Sequence, residues 1–589
     1  MTSYHERAAR EIATEHPSGT LTPIMRKLVD DSRAMLRRSP GDAKTRAAAA
    51  RANAIGRLEE LHAQVRVNFE RRGIGYHRAA TPGDAVRIIR GLLGDAKRVA
   101  KSKSMVGEEV GLTHALRDAG IDLLETDIGE YIVDIEGRGP SHITAPAIHL
   151  NRTRIRELLA RGGADIPDDD PVRLSRYVRD VVGAFFQDCD AGITGANAVV
   201  ARSGRVMVVE NEGNVSLGAS HPKLHIVITG LEKVVADEGG ALAILEVLAP
   251  SATAQPLTSF SHFLADPAPG QQRHVVFVDN GRSAIAAGKY HDVLRCIRCG
   301  ACMNACPVYR AAGGLSYGAP YMGPIGAVVA PLLWKDGRYA DLPLASSLCG
   351  RCTEVCPVGI PLHRMLLDLR ADAVAKGQTG SRVERLAWQA WSLTFEGATR
   401  ARAASALGRI GLNGGGRFVR ARGTASDPRR LPHAGAPERD PANLVAEPPR
   451  TPAVVIAPEE IEPADLVELF RVRAEALGVT LLEAYDARDG DRVLLATAAI
   501  AATGSVLLLG EAAARRPLLG AKRVVVHLDP ATIVKYPSGL AEYLGDVDAL
   551  ILTGASRTAD IEKQIVRGIH GSEELAVVLG RAAEDGARG

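Results

Sequence analysis

Apolar residues recur at two spacings in this chain, and the spacings trade places along its length. In residues 1–70 they fall three and four apart (Ile24, Leu28; Leu58, Leu61, Val65) in an Ala-, Arg- and Glu-rich background, which predicts N-terminal helices. From 71 to 285 short apolar runs alternate with amphipathic stretches. Residues 85–93 predict a helix, 121–125 a strand, 199–209 an extended hairpin, and 224–229 and 274–278 two buried strands. The alternation returns over 453–589, with a helix through 466–470 and strands at 493–496, 506–509, 524–528 and 550–553. Residues 286–370 break this rhythm with glycine and cysteine, and 371–420 read as a helical extension. Residues 421–452 concentrate proline (Pro428, Pro432, Pro437, Pro441) and lack the apolar residues of a core, so they predict a disordered linker. The pattern is that of a multidomain α/β protein with a second, smaller α/β domain at its end.

The two α/β stretches also echo one another. Ala198-Val199-Val200-Ala201-Arg202-Ser203-Gly204-Arg205-Val206 compares with Ala498-Ala499-Ile500-Ala501-Ala502-Thr503-Gly504-Ser505-Val506, and residues 224–235 compare with 523–534. A repeated domain accounts for this; the alternative is convergent hairpin patterning.

Composition narrows the classes. A chain of 589 residues exceeds what one core supports. With 72 basic against 69 acidic residues the net charge is +3, which offers no electrostatic footprint for nucleic acid. The polar N-terminal residues lack the apolar core of a signal peptide, and the longest apolar stretch, 323–334, is too short to span a bilayer. The expected location is cytoplasmic, with any membrane association made through partners. Neither a G-x-G-x-x-G turn after a strand nor a P-loop is present, so no nucleotide cofactor is assigned.

Cysteine carries the chemistry. Seven of the eight fall in two bursts, Cys296-x-x-Cys299-x-x-Cys302-x-x-x-Cys306-Pro307 and Cys349-x-x-Cys352-x-x-x-Cys356-Pro357. Short gaps let one loop wrap an iron–sulfur cube, while the cysteine before the proline is thrown toward a neighbouring cluster. Crossed in this way, Cys296, Cys299, Cys302 and Cys356 form a complete set for one [4Fe–4S] cluster. Cys306, Cys349 and Cys352 hold the other, and Ser346 stands where a fourth cysteine would. The second cluster is therefore either [3Fe–4S] or [4Fe–4S], with serine, another residue or water at one iron; a hard alkoxide is a poor substitute for thiolate. The competing reading is a pair of zinc knuckles. Cys189 stands apart and reads as a plain buried thiol.

Further landmarks carry a resemblance. They are Lys101-Ser102-Lys103-Ser104-Met105 with Glu108-Glu109, Glu125-Thr126-Asp127-Ile128-Gly129-Glu130-Tyr131, and Gly192-Ile193-Thr194-Gly195-Ala196-Asn197. Asn211-Glu212-Gly213-Asn214, His221-Pro222-Lys223-Leu224-His225, Asp279-Asn280-Gly281-Arg282-Ser283 and Gly323-Pro324-Ile325-Gly326 follow, then Ser346-Ser347-Leu348-Cys349-Gly350. In this order around the clusters, over roughly residues 20–412, they resemble the lactate-utilization protein B family. That family is the iron–sulfur subunit of a three-component bacterial complex oxidising L-lactate. The resemblance implies a lactate-utilization domain folded like sugar-phosphate isomerases and CoA transferases, a two-cluster ferredoxin-like module, and a cysteine-rich protein A-like partner. Ser346 in place of cysteine looks like a family trait. Thr553-Gly554-Ala555-Ser556-Arg557-Thr558-Ala559-Asp560-Ile561-Glu562 resembles the closing motif of lactate-utilization protein C, which implies fusion to a shortened C-like domain. A separate C-like subunit is the further partner this leaves open, and the downstream electron carrier is unnamed.

Other candidate residues follow from chemistry. Oxidation of a small hydroxy acid needs a base near the hydroxyl and a cation near the carboxylate. His221 or His225 with Lys223 would supply them, although Asn211–Asn214 also makes an ordinary turn and His225 an ordinary core histidine. Arg557, expected beside the N-terminus of a helix beginning near Thr558, would pair with the carboxylate; plain helix capping is the alternative. The expected function is electron transfer in a complex taking L-lactate to pyruvate. The alternatives are a redox-sensing, metabolite-binding regulator and an electron-transfer subunit for another 2-hydroxy acid such as glycolate.

Overall fold

The computed structural model describes residues 3–15, 17–377, 382–395, 402, 465–485, 488–489, 491–513, 518, 521–561, 565–567 and 569–580. The stretch 421–452, expected as a linker, lies outside the described residues. Two units divide the chain: one joins 1–371 to 458–589, the other is 372–457, described here mainly through the helix Arg382–Phe395. No helix among the described residues is long and apolar enough to cross a membrane.

The larger unit is multidomain α/β; its described residues form two parallel sheets, one mixed sheet and a two-stranded antiparallel ribbon. The first parallel sheet has six strands, in the order Ile74–Ala79, Gln272–Val278, Leu224–Gly230, Ala191–Thr194, Arg98–Lys101 and Asp122–Glu125. Its central strands are continuous apolar runs because helices cover both faces; every residue of Leu224–Gly230 after Leu224 is buried. The helix Pro82–Leu93 starts where it does because Thr81 and Asp84 close a capping box around Pro82.

The echo in the sequence becomes a duplication in space. A second parallel sheet has four strands, in the order Thr480–Leu482, Glu574–Leu579, Arg523–Leu528 and Asp491–Leu495. It matches the first four strands of the larger sheet and lacks counterparts of Arg98–Lys101 and Asp122–Glu125. The hairpins Ala198–Val200/Arg205–Glu210 and Ala498–Ile500/Ser505–Leu509 pair in the same register, Val199 with Val206 and Ala499 with Val506. They meet in one eight-stranded sheet, at whose centre Ala549–Leu552 runs antiparallel to Phe260–Leu264. The C-terminal copy is thus joined to the first copy through main-chain hydrogen bonds, not through the intervening chain alone.

One expected element differs. Arg557–Thr558 is a short strand paired with Val566–Arg567, not the start of a helix. The reason is local: the Arg557 amide donates to Asn211 O at 2.8 Å and the His570 amide to Glu212 O at 2.9 Å, so this segment is extended against the first copy.

The cysteine-rich region packs on the opposite side of the eight-stranded sheet from the C-terminal copy's own core, within an apolar cluster that includes Val200, Met207, Leu242 and Ile551. Arg51, fully buried on the helix Ala43–Gly56, ties the parts together. Its guanidinium donates to Val234 O at 3.0 Å and Leu294 O at 2.8 Å, and also to Glu232 O.

Candidate functional site

The first cysteine burst enters through a short turn and leaves on the helix Ala301–Ala305. Arg298 (φ 62°) and Gly300 (φ 77°) take left-handed conformations on either side of Cys299, which curls the loop about its own sulfurs. Cys296, Cys299, Cys302 and Cys356 line one small cavity. Cys306 and Cys352 interact electrostatically with one another and with Cys349. Burial raises the thiols of Cys299, Cys302, Cys306, Cys352 and Cys356, and their mutual repulsion adds to it. Such a set is unfavourable as bare thiolates and suits a cationic iron–sulfur core. Backbone amides of Arg298, Tyr309 and Ile360 lie 3.4, 3.5 and 3.4 Å from the sulfurs of Cys296, Cys306 and Cys356, the kind of contact that tunes a cluster's potential. Cys299 is buried, whereas Cys349 is exposed. The remaining cysteine, Cys189, donates to Phe186 O at 3.5 Å within a separate apolar cluster.

Beside the first cradle lies a cavity of about 690 Å³. Ile143, Ile297 and Arg298 line both spaces and are the wall between them. The cavity opens at the C-terminal end of the parallel strands (Ser102 and Lys103 after Arg98–Lys101, Ile228 and Thr229 late in Leu224–Gly230), where α/β sheets place ligands. Lys27, Lys103, Lys233, Arg298 and Arg557 are the cationic residues among its lining. Burial and the neighbouring Arg298 push the Lys233 ammonium down to about 7. Opposite stand Asp127, Glu212 and Asp560, whose carboxylate oxygens lie within 4.8 Å of one another. Burial, then repulsion from Asp127 and Asp560, holds Glu212 well above the usual carboxylate range. The backbone amides of Ile128 and Gly129, at the start of the helix Ile128–Glu136, donate to Glu212 and Asp560 at 3.2 Å each.

The predicted residues distribute unevenly. Arg557 is at the cavity, and Asn211, Glu212 and Asn214 join it there. His221, Lys223 and His225 stand at the other end of the strand Leu224–Gly230 and line no part of the cavity. His225 is fully buried, with Nε2 2.8 Å from Thr194 Oγ1 and Nδ1 accepting from Arg273 Nε at 3.2 Å. Nothing in the sequence singled out Arg298 or Lys233, which come from separate regions of the chain; Asp560 stood in the Thr553–Glu562 motif without a role assigned to it.

The fold and these cradles together define an iron–sulfur electron-transfer protein built on a LUD domain. The LUD domain family matches residues 63–278, and the 4Fe-4S dicluster domain family matches residues 292–360. The chain is 41% identical over 350 residues to "Lactate utilization protein B 2" of Bacillus mycoides (strain KBAB4), covering 58% of this chain and 74% of that protein. The same figures hold for "Lactate utilization protein B" of Bacillus thuringiensis (strain Al Hakam) and of Bacillus cereus (strain B4264). The chain belongs to the lactate utilization protein B family. A solved DUF162-family protein from Deinococcus radiodurans aligns over 38% of this chain and 97% of its own, at 17% identity and a TM-score of 0.22.

Proposed function

We propose that this chain is the iron–sulfur electron-transfer subunit of a complex that oxidises L-lactate to pyruvate, with the large cavity as the place where the electron pair is released. The observation that carries this reading is the shared wall: Ile143, Ile297 and Arg298 line both the cavity and the first cysteine cradle. Oxidation removes the hydrogen on the alcohol carbon and the hydroxyl proton, hence two electrons and two protons. Arg557 is the group for the substrate carboxylate, and Asp127 with Asp560 accepts the hydroxyl proton. Glu212, whose carboxyl is held well above the usual range by burial and then by Asp127 and Asp560, places less negative charge beside the substrate than an ordinary carboxylate would. The cavity is far larger than lactate fills, which leaves room for the partner-borne group that first takes the electron pair. When bound, two clusters supply one-electron transfer, the first [4Fe–4S] and the second held by Cys306, Cys349 and Cys352. Exposed Cys349 marks the edge at which a cysteine-rich protein A-like subunit docks. The C-terminal copy serves as an abbreviated protein C-like domain, supplying Arg557 and Asp560 to the cavity.

The test is anaerobic EPR of the chain co-purified with its cysteine-rich partner, before and after L-lactate, D-lactate or glycolate. Cluster reduction by L-lactate alone is expected, with at least a tenfold slower response in Arg557→Ala, about 1.4 kcal/mol in the barrier. Reduction by glycolate instead moves the substrate to another 2-hydroxy acid. Clusters that dithionite reduces and no hydroxy acid does would turn the reading to redox sensing.

A further inference from the structure

The two cysteine loops share several backbone hydrogen bonds at a constant offset of fifty residues. Gly300 (φ 77°) and Gly350 (φ 82°) each open a short helix from the left-handed region. Gly300 O accepts from Met303 N at 2.9 Å and Asn304 N at 3.2 Å; Gly350 O accepts from Thr353 N at 3.0 Å and Glu354 N at 3.2 Å. Cys306 N donates to Met303 O at 3.0 Å, and Cys356 N to Thr353 O at 3.2 Å. Before each glycine a bulky residue is held left-handed, Arg298 at φ 62° and Leu348 at φ 56°, a conformation that neither side chain favours.

At the head of the loops the correspondence reaches the ligand itself. Arg298 N donates to Cys296 Sγ at 3.4 Å, and Leu348 N donates to Ser346 Oγ at 3.1 Å. A serine accepting the amide two residues on is also a common turn. Here the turn carries the same left-handed residue and the same following helix as the loop that presents Cys296. It is also clamped from outside: Arg370 donates to Ser346 O at 2.6 Å and to Pro343 O at 2.9 Å.

We infer that Ser346 Oγ is the fourth ligand of the second cluster, completing a [4Fe–4S] centre with Cys306, Cys349 and Cys352. The inference rests on the two-cluster reading above. On ligation an Fe–O(Ser346) bond forms as an Fe–water bond breaks, and the hydroxyl proton leaves to solvent at the edge where Cys349 is exposed; no electron moves. An alkoxide is a harder donor than thiolate and favours the ferric state. The second cluster therefore sits at a lower potential than an all-thiolate version, and the iron that is otherwise labile is retained.

Anaerobic reconstitution of the full chain and of Ser346→Cys and Ser346→Ala tests this by iron and sulfide content, Mössbauer spectra and EPR-monitored redox titration. Wild type should hold the iron of two cubes, with one iron of the second cluster spectroscopically distinct. In Ser346→Cys that distinct site should vanish, iron content should stay the same, and the second midpoint potential should rise. Ser346→Ala should lose one iron per chain and show the oxidised [3Fe–4S] signal, with the first cluster's signal unchanged as the control for folding. A wild type already one iron short, or Ser346→Cys and Ser346→Ala both matching wild type in iron content, spectrum and potential, overturns the assignment. A chain that binds a single cluster, or zinc in place of iron, overturns the two-cluster reading beneath it.

Discussion

Glu232 stands between the α/β domain and the cluster loop. Its carboxylate meets Arg282 at 2.6 Å and Arg298 at 3.4 Å, and Arg282 also pairs with Glu109 at 2.6 Å. Arg298 in turn lies 4.4 Å over the ring of Tyr321, whose hydroxyl donates to Glu109 at 2.6 Å. Burial pushes Glu232 up, but Arg282 and Arg298 hold it down to about 2. Its stabilising contribution is complete above the ordinary value of 4.5 and is lost as pH falls from there toward 2. Glu232→Gln leaves two buried guanidinium groups short of a partner and should cost about 3–5 kcal/mol at neutral pH, read from urea midpoints. The difference from wild type should shrink in acid. Glu130 shows the opposite sign. Burial raises it to about 8 against the pull of Lys103, so folding favours its protonated form. That contribution is present below the ordinary value of 4.5 and fades as pH rises through 8. Glu130→Gln should flatten the decline in stability that wild type shows between about pH 4.5 and about pH 8 in the same titration.

At the scale of elements, the duplicated hairpins are held by glycine turns that press on a preceding helix. Gly204 (φ 71°) lies against Asn68 on the helix Leu58–Arg71, and Gly504 (φ 65°) against Ala474 on the helix Leu466–Ala476. A Cβ on Gly504 would lie 2.5 Å from the Ala474 backbone nitrogen, whereas on Gly204 it would meet the Asn68 Cβ at 3.0 Å. Both contacts are to atoms fixed to a helix main chain, and the one at Gly504 is the closer. Gly504→Ala should therefore destabilise by roughly 2–4 kcal/mol and Gly204→Ala by less, measured by thermal unfolding of the two variants side by side.

For the whole molecule, the decisive contact is the pairing of Phe260–Leu264 with Ala549–Leu552, supported by Arg72 to Asp266 at 2.8 Å and to Asp546, and by Ala265 N to Asp548 at 2.6 Å. A protease site inserted within 421–452 and then cut should leave two fragments that co-elute on size exclusion. The fragment ending before 453, expressed alone, should expose the strand Phe260–Leu264 as an open edge and aggregate. Adding the C-terminal fragment during refolding should restore a soluble complex. Fragments that separate after cutting, both soluble, would show that the shared sheet contributes little.

Local signals were legible in proportion to how locally they are caused. The spacing of seven cysteines, the strands 224–229 and 274–278 and the repeated hairpins all depend on neighbours a few residues away, so the chain alone determined them. The expected helix at Thr558 failed because the Arg557 and His570 amides bond to the carbonyls of Asn211 and Glu212, far away in sequence, which holds the segment extended. His221, Lys223 and His225 looked promising as a cluster of side chains, yet which end of a strand faces a cavity is set by the topology of the sheet. The tertiary structure likewise decided that the C-terminal copy finishes the first copy's cavity with Arg557 and Asp560, and that Arg298 stands between that cavity and the cysteines. Ligand spacing is a property of one loop and is written in sequence. A cavity is the space left where distant segments meet, and long-range packing fixes it.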